Sequence, residues 1–140
     1  MIAYFDTSAI VPLVVDELGT EAAARIWDGA DRLISTRLAR VEARAALAQA
    51  ARMGRLTARQ LLAAKRELDG LLDQLDLVDI GDELVRNASE LAESHALRAD
   101  DAVHLAAAAR LEADDLVIVA GDRALLAGAR AMGLAVATIA

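Results

Sequence analysis

Residues 115–122 read "DLVIVAGD". From Leu116 to Ala120 every side chain is apolar, three of them are β-branched, and a Gly-Asp pair closes the run. A strand with one wet face alternates polar and apolar residues. A strand apolar at every position is buried on both faces, as in a parallel sheet covered by helices on either side. Four similar short runs occur elsewhere: "IAYFD" at 2–6, "RLIST" at 32–36, "DLVDI" at 76–80 and "LAVAT" at 134–138. Between them lie helical patterns at about 8–15, 20–29, 37–53, 57–74, 82–95, 101–113 and 122–132. Chemical markers stand at several boundaries: Thr57 as a cap after Gly54, Asp82 as a cap after Gly81, and Gly133 ending the last helix. The single proline, Pro12, falls early in the first helical segment, where its missing N–H is tolerated. Strands alternating with helices predict a three-layer α/β/α fold around a mostly parallel five-stranded sheet, built as one domain over residues 1–140.

Composition narrows the function classes. The chain has 140 residues, 56% of them hydrophobic, yet no apolar run approaches the ~18 residues of a membrane span. "AIVPLVV", from Ala9, is too short and is bracketed by Asp6 and Asp16. The N-terminal "MIAYFD" has no basic segment and reads as a strand rather than a signal peptide. The absence of cysteine removes disulfides and thiolate zinc sites and suits a cytoplasmic protein. A net charge of −7 argues against a protein that coats nucleic acid through many phosphate contacts. Tyr4, Phe5 and Trp27 are the only aromatics outside histidine, too few for a base-stacking platform. An enzyme that meets a nucleic acid through a few arginines and a metal is compatible with all of this.

Function in such sheets gathers beyond the carboxyl ends of the strands. Asp6 ends the first predicted strand and Asp122 follows the fourth. In "LRADDAVHLAAAA", residues 97–109, two adjacent aspartates head a greasy helix. Capping explains one of them, with Asp100 as the expected N-cap. Asp101 then shares the inward face with Leu105 and Ala108, where a carboxylate is costly unless paired or bound to a cation. Because helices run antiparallel to the strands, the start of this helix lies near the same edge as Asp6 and Asp122. Glu42 is expected on a packed stripe with Leu38, Ala45, Ala46 and Gln49, while Arg37, Arg40 and Arg44 form a separate face. Each acid has a plain structural explanation, as a turn residue, a cap, a dipole partner or a salt-bridge partner. Together they form a knot of like charge, which divalent cations such as Mg2+ or Mn2+ relieve.

"YFDTSAIVPLVV", "STRLARVEARAAL", "LRADDAVHLAAAA" and "VIVAGDRALLAGARAMGLAV" resemble, in order and spacing, the four acidic motifs of PIN-domain ribonucleases, and in particular the VapC-type toxins of bacterial toxin–antitoxin pairs. The resemblance spans nearly the whole chain. It implies an endoribonuclease dependent on Mg2+ or Mn2+, with RNA as substrate and a cognate antitoxin as partner, while the leucine and alanine stripes of the helices after Thr20 and Thr57 suit a homodimer, an antitoxin-binding groove or simply the core. Its catalytic and metal-binding acids fall on Asp6, Glu42, Asp101 and Asp122. Asp101 rather than Asp100 matches, because it stands directly before the Ala-x-His-Leu run. Many relatives carry a hydroxyl residue two positions before the last acid, whereas this chain has Ala120.

Phosphodiester hydrolysis needs an activated water and neutralised phosphate charge, which a metal on Asp6 and Asp101 would supply. Thr7 and Ser8 are expected to support the site through their hydroxyls or to cap the first helix. Arg98 and Arg123, flanking the acids, are the candidates for phosphate contact. The Arg37, Arg40 and Arg44 face could grip RNA phosphates but is expected rather to be solvated and salt-bridged, and His104 is expected to be a satisfied core or rim histidine rather than a general base. Two alternatives stand beside this reading. One is a PIN-fold nuclease in RNA processing without a toxin role. The other is a phospho-accepting receiver domain, which needs an acidic pair at its first strand and a lysine near its last; here the only lysine is Lys65.

Overall fold

The computed structural model describes residues 1–140. Five strands, β1 (Ile2–Phe5), β2 (Arg32–Thr36), β3 (Asp76–Val78), β4 (Leu116–Ala120) and β5 (Ala135–Thr138), form a wholly parallel sheet in the order β3-β2-β1-β4-β5. A receiver would show the order 2-1-3-4-5, so that alternative is excluded. β1 is central, and Ala3, Tyr4 and Phe5 are fully buried. Its alternating side chains separate two cores. Ala3 and Phe5 belong to one with Trp27, Leu47 and Leu68, and Tyr4 belongs to the other with Ile34, Leu105 and Ile118.

Seven helices cover the two faces: α1 (Thr7–Ile10), α2 (Thr20–Gly29), α3 (Leu38–Arg52), α4 (Ala58–Gln74), α5 (Asp82–His95), α6 (Ala99–Ala109) and α7 (Arg123–Ala131). The first four pack on the Phe5 side and the last three on the Tyr4 side. The chain therefore changes face after β3 and returns to pair β4 against the other flank of β1. Between the carboxyl ends of β1 and β4 this leaves a crevice, the topological switch point of the sheet.

Several local expectations hold. Thr57 caps α4 in a capping box with Gln60, and Gly133 follows α7 at φ +79°, a conformation that suits glycine. Others need correction. The first helical segment is not continuous over 8–15: α1 lasts four residues and gives way to a 3-10 turn at Val11–Leu13, where Pro12 has no N–H to continue the ladder. Asp100 is not the N-cap of α6. Arg98 holds the extended N-cap backbone, and both aspartates lie inside the first turn. Asp82 likewise is the first helical residue of α5, with Gly81 at the cap. On α3 the buried line is Ala39, Ala43, Leu47 and Ala50. Ala45 and Gln49 are exposed, and Glu42 stands half-buried on the flank.

α6 is buried nearly all round, which its run of alanines makes possible by allowing close approach to the sheet and to α5 and α7. Leu105, fully buried there, touches the spot opposite Gly128 of α7, where an added Cβ would lie 3.3 Å from its Cδ2. Truncating Leu105→Ala removes core contacts and should lower stability by about 3 kcal/mol. Thr57→Ala, which removes only a cap, should lower it by about 1 kcal/mol. Urea unfolding of the two variants checks this ordering, and similar losses would mean that α6 repacks around the cavity.

Candidate active site

The crevice at the switch point opens as a cleft of about 350 Å³, lined by Asp6, Thr7, Ser8, Val11, Glu17, Glu42, Ala46, Asp100, Asp101 and Asp122. All four acids expected from the sequence are there. No lysine or arginine lines the cleft. Three elements of local structure bring the acids to it.

The first is the turn that follows β1. Asp6 leaves the strand as the N-cap of α1, and its Oδ2 accepts the Ser8 backbone N–H at 3.1 Å and the Ser8 hydroxyl at 2.5 Å. Ser8 Oγ in turn accepts the backbone N–H of Gly121 at 2.9 Å. One hydroxyl thus ties the residue after β1 to the residue after β4. The second is α3, which carries Glu42. Thr7 Oγ1 donates to Glu42 Oε1 at 2.8 Å. Of the two roles expected for Thr7 and Ser8, capping falls instead to Asp6, and the two hydroxyls donate to the acids Glu42 and Asp6.

The third is the pair of helix starts at α6 and α7. Asp122 caps α7, its Oδ1 accepting the Leu125 N–H at 3.0 Å. Asp101 is only 4% exposed, and its Oδ2 is buried without any hydrogen-bond partner. Burial, followed by the negative charges of Asp122, Asp100 and Asp6, pushes its carboxyl up from the ordinary 3.8 to about 6. An unsatisfied buried carboxylate oxygen among like charges is an unfavourable arrangement that hard cations relieve. The donor set is all oxygen and the cleft has no competing base, so its chemistry fits Mg2+ or Mn2+. As the side chains stand, no three of these acids close on one point as metal ligands, and a cation held by one or two carboxylates would keep waters in its remaining positions.

Sequence reasoning missed three participants. Glu17 lines the cleft from the loop before α2, paired to Arg55 at 3.1 Å. Asp100 lines it too, with Arg98 reaching back to it at 3.1 Å. His104, expected as a satisfied core residue, is 1% exposed and satisfied, but its partners belong to the site: Nε2 lies 2.6 Å from Glu42 Oε1 and 3.4 Å from Asp6 Oδ1. Burial opposes charging this imidazole, but the Glu42 hydrogen bond and the nearby carboxylates outweigh it and raise its pKa. The only signal for His104 was its position one turn after Asp101. Arg98 and Arg123 are exposed and outside the cleft lining, Arg98 at its rim and Arg123 without an ion pair. The remaining arginine face behaves as expected, with Arg37 on Asp79 and with Arg40 and Arg44 on Asp69.

The raised value of Asp101 sets a sign for stability. Between pH 3.8 and about 6 the folded protein holds a proton that the unfolded chain has released, so stability falls as pH rises through that window. Asp101→Asn removes the charge and should stabilise the metal-free protein at pH 7. Since water reaches the site through the open cleft, the gain is roughly 1 kcal/mol, or about 4 °C in melting temperature. The advantage should vanish below pH 4. Thermal melts in EDTA check this, and a lower melting temperature at pH 7 would show Asp101 to be a structural residue instead.

Comparison with known proteins follows the same lines. Residues 3–138 match the PIN domain family. Ribonuclease VapC45 of Mycobacterium tuberculosis is 43% identical over 136 residues, covering 97% of this chain and 94% of that protein. Ribonuclease VapC47 of the same organism is 31% identical over 140 residues, covering 96% and 95%. Two solved structures share the fold. PAE2754 from Pyrobaculum aerophilum has a TM-score of 0.72 at 24% identity, over 99% of this chain and 84% of that one. FitAcB from Neisseria gonorrhoeae has a TM-score of 0.72 at 15% identity, over 96% of each chain. The chain belongs to the PIN-domain family, and the curated relatives it matches there are VapC ribonucleases.

Proposed function

We propose that this protein is a metal-dependent endoribonuclease acting as the toxin of a toxin–antitoxin pair, and that it hydrolyses RNA phosphodiester bonds at the cleft formed by Asp6, Glu42, Asp101 and Asp122. The observation that carries the reading is the buried, partnerless Oδ2 of Asp101 on the wall of a cleft with six acids and no base. An RNA strand approaching such a cleft is repelled unless a cation intervenes. Mg2+ or Mn2+ bound there would supply both the counter-charge on the phosphate and an acidified water. The names of the relatives support the RNA-cleaving part of this reading, since all are ribonucleases.

The protein's own groups then have separate tasks. Asp6 and Asp101, the most buried of the acids, would hold the cation. Glu42 and Asp122 would complete its surroundings, Asp122 while still capping α7. Ser8 keeps the two strand ends in register, so that Asp6 and Asp122 stay on the same rim. Arg98 and Arg123, exposed beside the rim, are the groups available to neighbouring RNA phosphates. The partners in this reading are RNA, a cognate antitoxin and a second copy of the chain. Exposed Val41, Met53 and Leu62 on and after α3 and on α4 supply apolar surface for a protein partner. No helix is long and apolar enough to cross a membrane.

With Mn2+ or Mg2+ present, the purified protein should cleave RNA, and EDTA should stop it. Asp6→Asn should lose cleavage and Mn2+ uptake by calorimetry while keeping its fold, because asparagine still offers an oxygen to the Ser8 N–H. Induction of the wild type, but not of Asp6→Asn, should arrest growth, and co-expression of the cognate antitoxin should lift the arrest. Cleavage that persists in EDTA, or in Asp6→Asn, would sink the proposal.

A further inference from the structure

Tyr4, on the central strand, and His104, on α6, lie outside the cleft lining and are fully or almost fully buried. A buried imidazole is tolerated only when both nitrogens find partners. Here they do so across three elements. Nδ1 meets the Tyr4 hydroxyl at 2.9 Å, and the two rings pack edge to face with centroids 5.9 Å apart. Nε2 faces Glu42 Oε1 at 2.6 Å, the Thr7 hydroxyl oxygen at 3.3 Å and Asp6 Oδ1 at 3.4 Å, so it carries the hydrogen. Thr7 donates to the same Oε1. Glu42 therefore has one oxygen engaged twice, while Oε2 makes no hydrogen bond within the protein, and Glu42 lines the cleft.

A side chain that served only to fill the core would not need this arrangement. At the same place a leucine would pack with Leu105 and the neighbouring alanines without any hydrogen bonds to satisfy. The imidazole instead stands between the two carboxylates contributed by the turn after β1 and by α3, which would otherwise repel each other. We propose that Tyr4 and His104 are a buried positioning pair that holds Glu42 beside Asp6 and thereby sets the affinity of the cleft for a divalent cation. Tyr4 fixes the ring through Nδ1, and the ring fixes the acids through Nε2. Neither residue touches the cation or the RNA. Partners of this outer kind around metal ligands typically change affinity by about 10–100-fold when removed.

The inference rests on the proposed cation site, and the two are tested separately. Mn2+ binding to the intact protein is measured by calorimetry for wild type, Asp6→Asn, Tyr4→Phe, His104→Leu and His104→Gln, with thermal melts in EDTA as the control for folding. Tyr4→Phe keeps the ring packing and removes only the hydroxyl, so it should bind Mn2+ about tenfold more weakly at a near-normal melting temperature. His104→Leu should lose about 10–100-fold, and His104→Gln, whose amide N–H can reach Glu42, should recover part of that. RNA cleavage at saturating Mn2+ should return towards the wild-type rate in Tyr4→Phe, as expected of a residue that acts through affinity. Wild-type Mn2+ affinity in Tyr4→Phe overturns the positioning role, whether or not the His104 variants fold. Absence of Mn2+ binding in the wild type, or undiminished binding in Asp6→Asn, instead overturns the cation site itself.

Discussion

The parallel pairing of β1 with both β2 and β4 is the constraint on which the rest of this molecule hangs. It places β1 at the centre of the sheet with no polar side chain between Ile2 and Phe5 except the hydroxyl of Tyr4. It also forces the chain to cover one face on the way to β3 and the other on the way back to β4. The crevice between the carboxyl ends of β1 and β4 is a direct consequence. Asp6 and Asp122 stand on its two sides because each is the first or second residue beyond its strand. Ser8 closes the arrangement with two hydrogen bonds, one to each side.

The cleft concentrates negative charge where the fold supplies nothing to balance it. Asp6 and Asp122 recover part of the cost by capping helices, since a carboxylate at a helix start satisfies free N–H groups and meets the positive end of the dipole. Asp101 gains only the second of these benefits. Its Oδ2 is left buried and unsatisfied, and burial with the neighbouring carboxylates pushes its carboxyl up to about 6. Local stability is sacrificed there, a pattern that marks functional sites more often than structural ones. The rest of α6 compensates through packing: from Ala102 to Ala108 it is enclosed by the sheet, α5 and α7.

Polar order behind the cleft is as specific as the acids in it. Tyr4, His104, Thr7 and Glu42 come from four elements and join in one hydrogen-bonded chain in which both imidazole nitrogens have partners. Such chains rigidify a core when complete and are costly when one member is lost. Here the chain runs from the middle of the sheet to the wall of the cleft, so the orientation of Glu42 is set from inside the protein rather than by solvent.

Much of this was legible in the residue order alone, because strand burial, helix periodicity and caps are local effects. The uninterrupted apolar run at Leu116–Ala120 marked a doubly buried strand, Thr57 marked a helix start, and an aspartate on the inward face of the helix before β4 marked a residue out of place. The motifs also pointed to all four acids now found around the cleft. What the chain could not disclose was set by contacts between distant segments. Glu17 enters the cleft because its loop folds back over α1, and it is Ala39, Ala43 and Leu47 that α3 buries because α4 and the sheet meet it from that side. α6 begins at Ala99, since the Arg98 backbone takes the cap and Asp100 pairs with the Arg98 guanidinium instead. His104 joins Tyr4, one hundred residues away, only once α6 lies across β1. Local chemistry determined the elements and the type of residue at the rim. Three-dimensional packing alone decided which side chains share a hydrogen bond, because that depends on distances no spacing along the chain encodes.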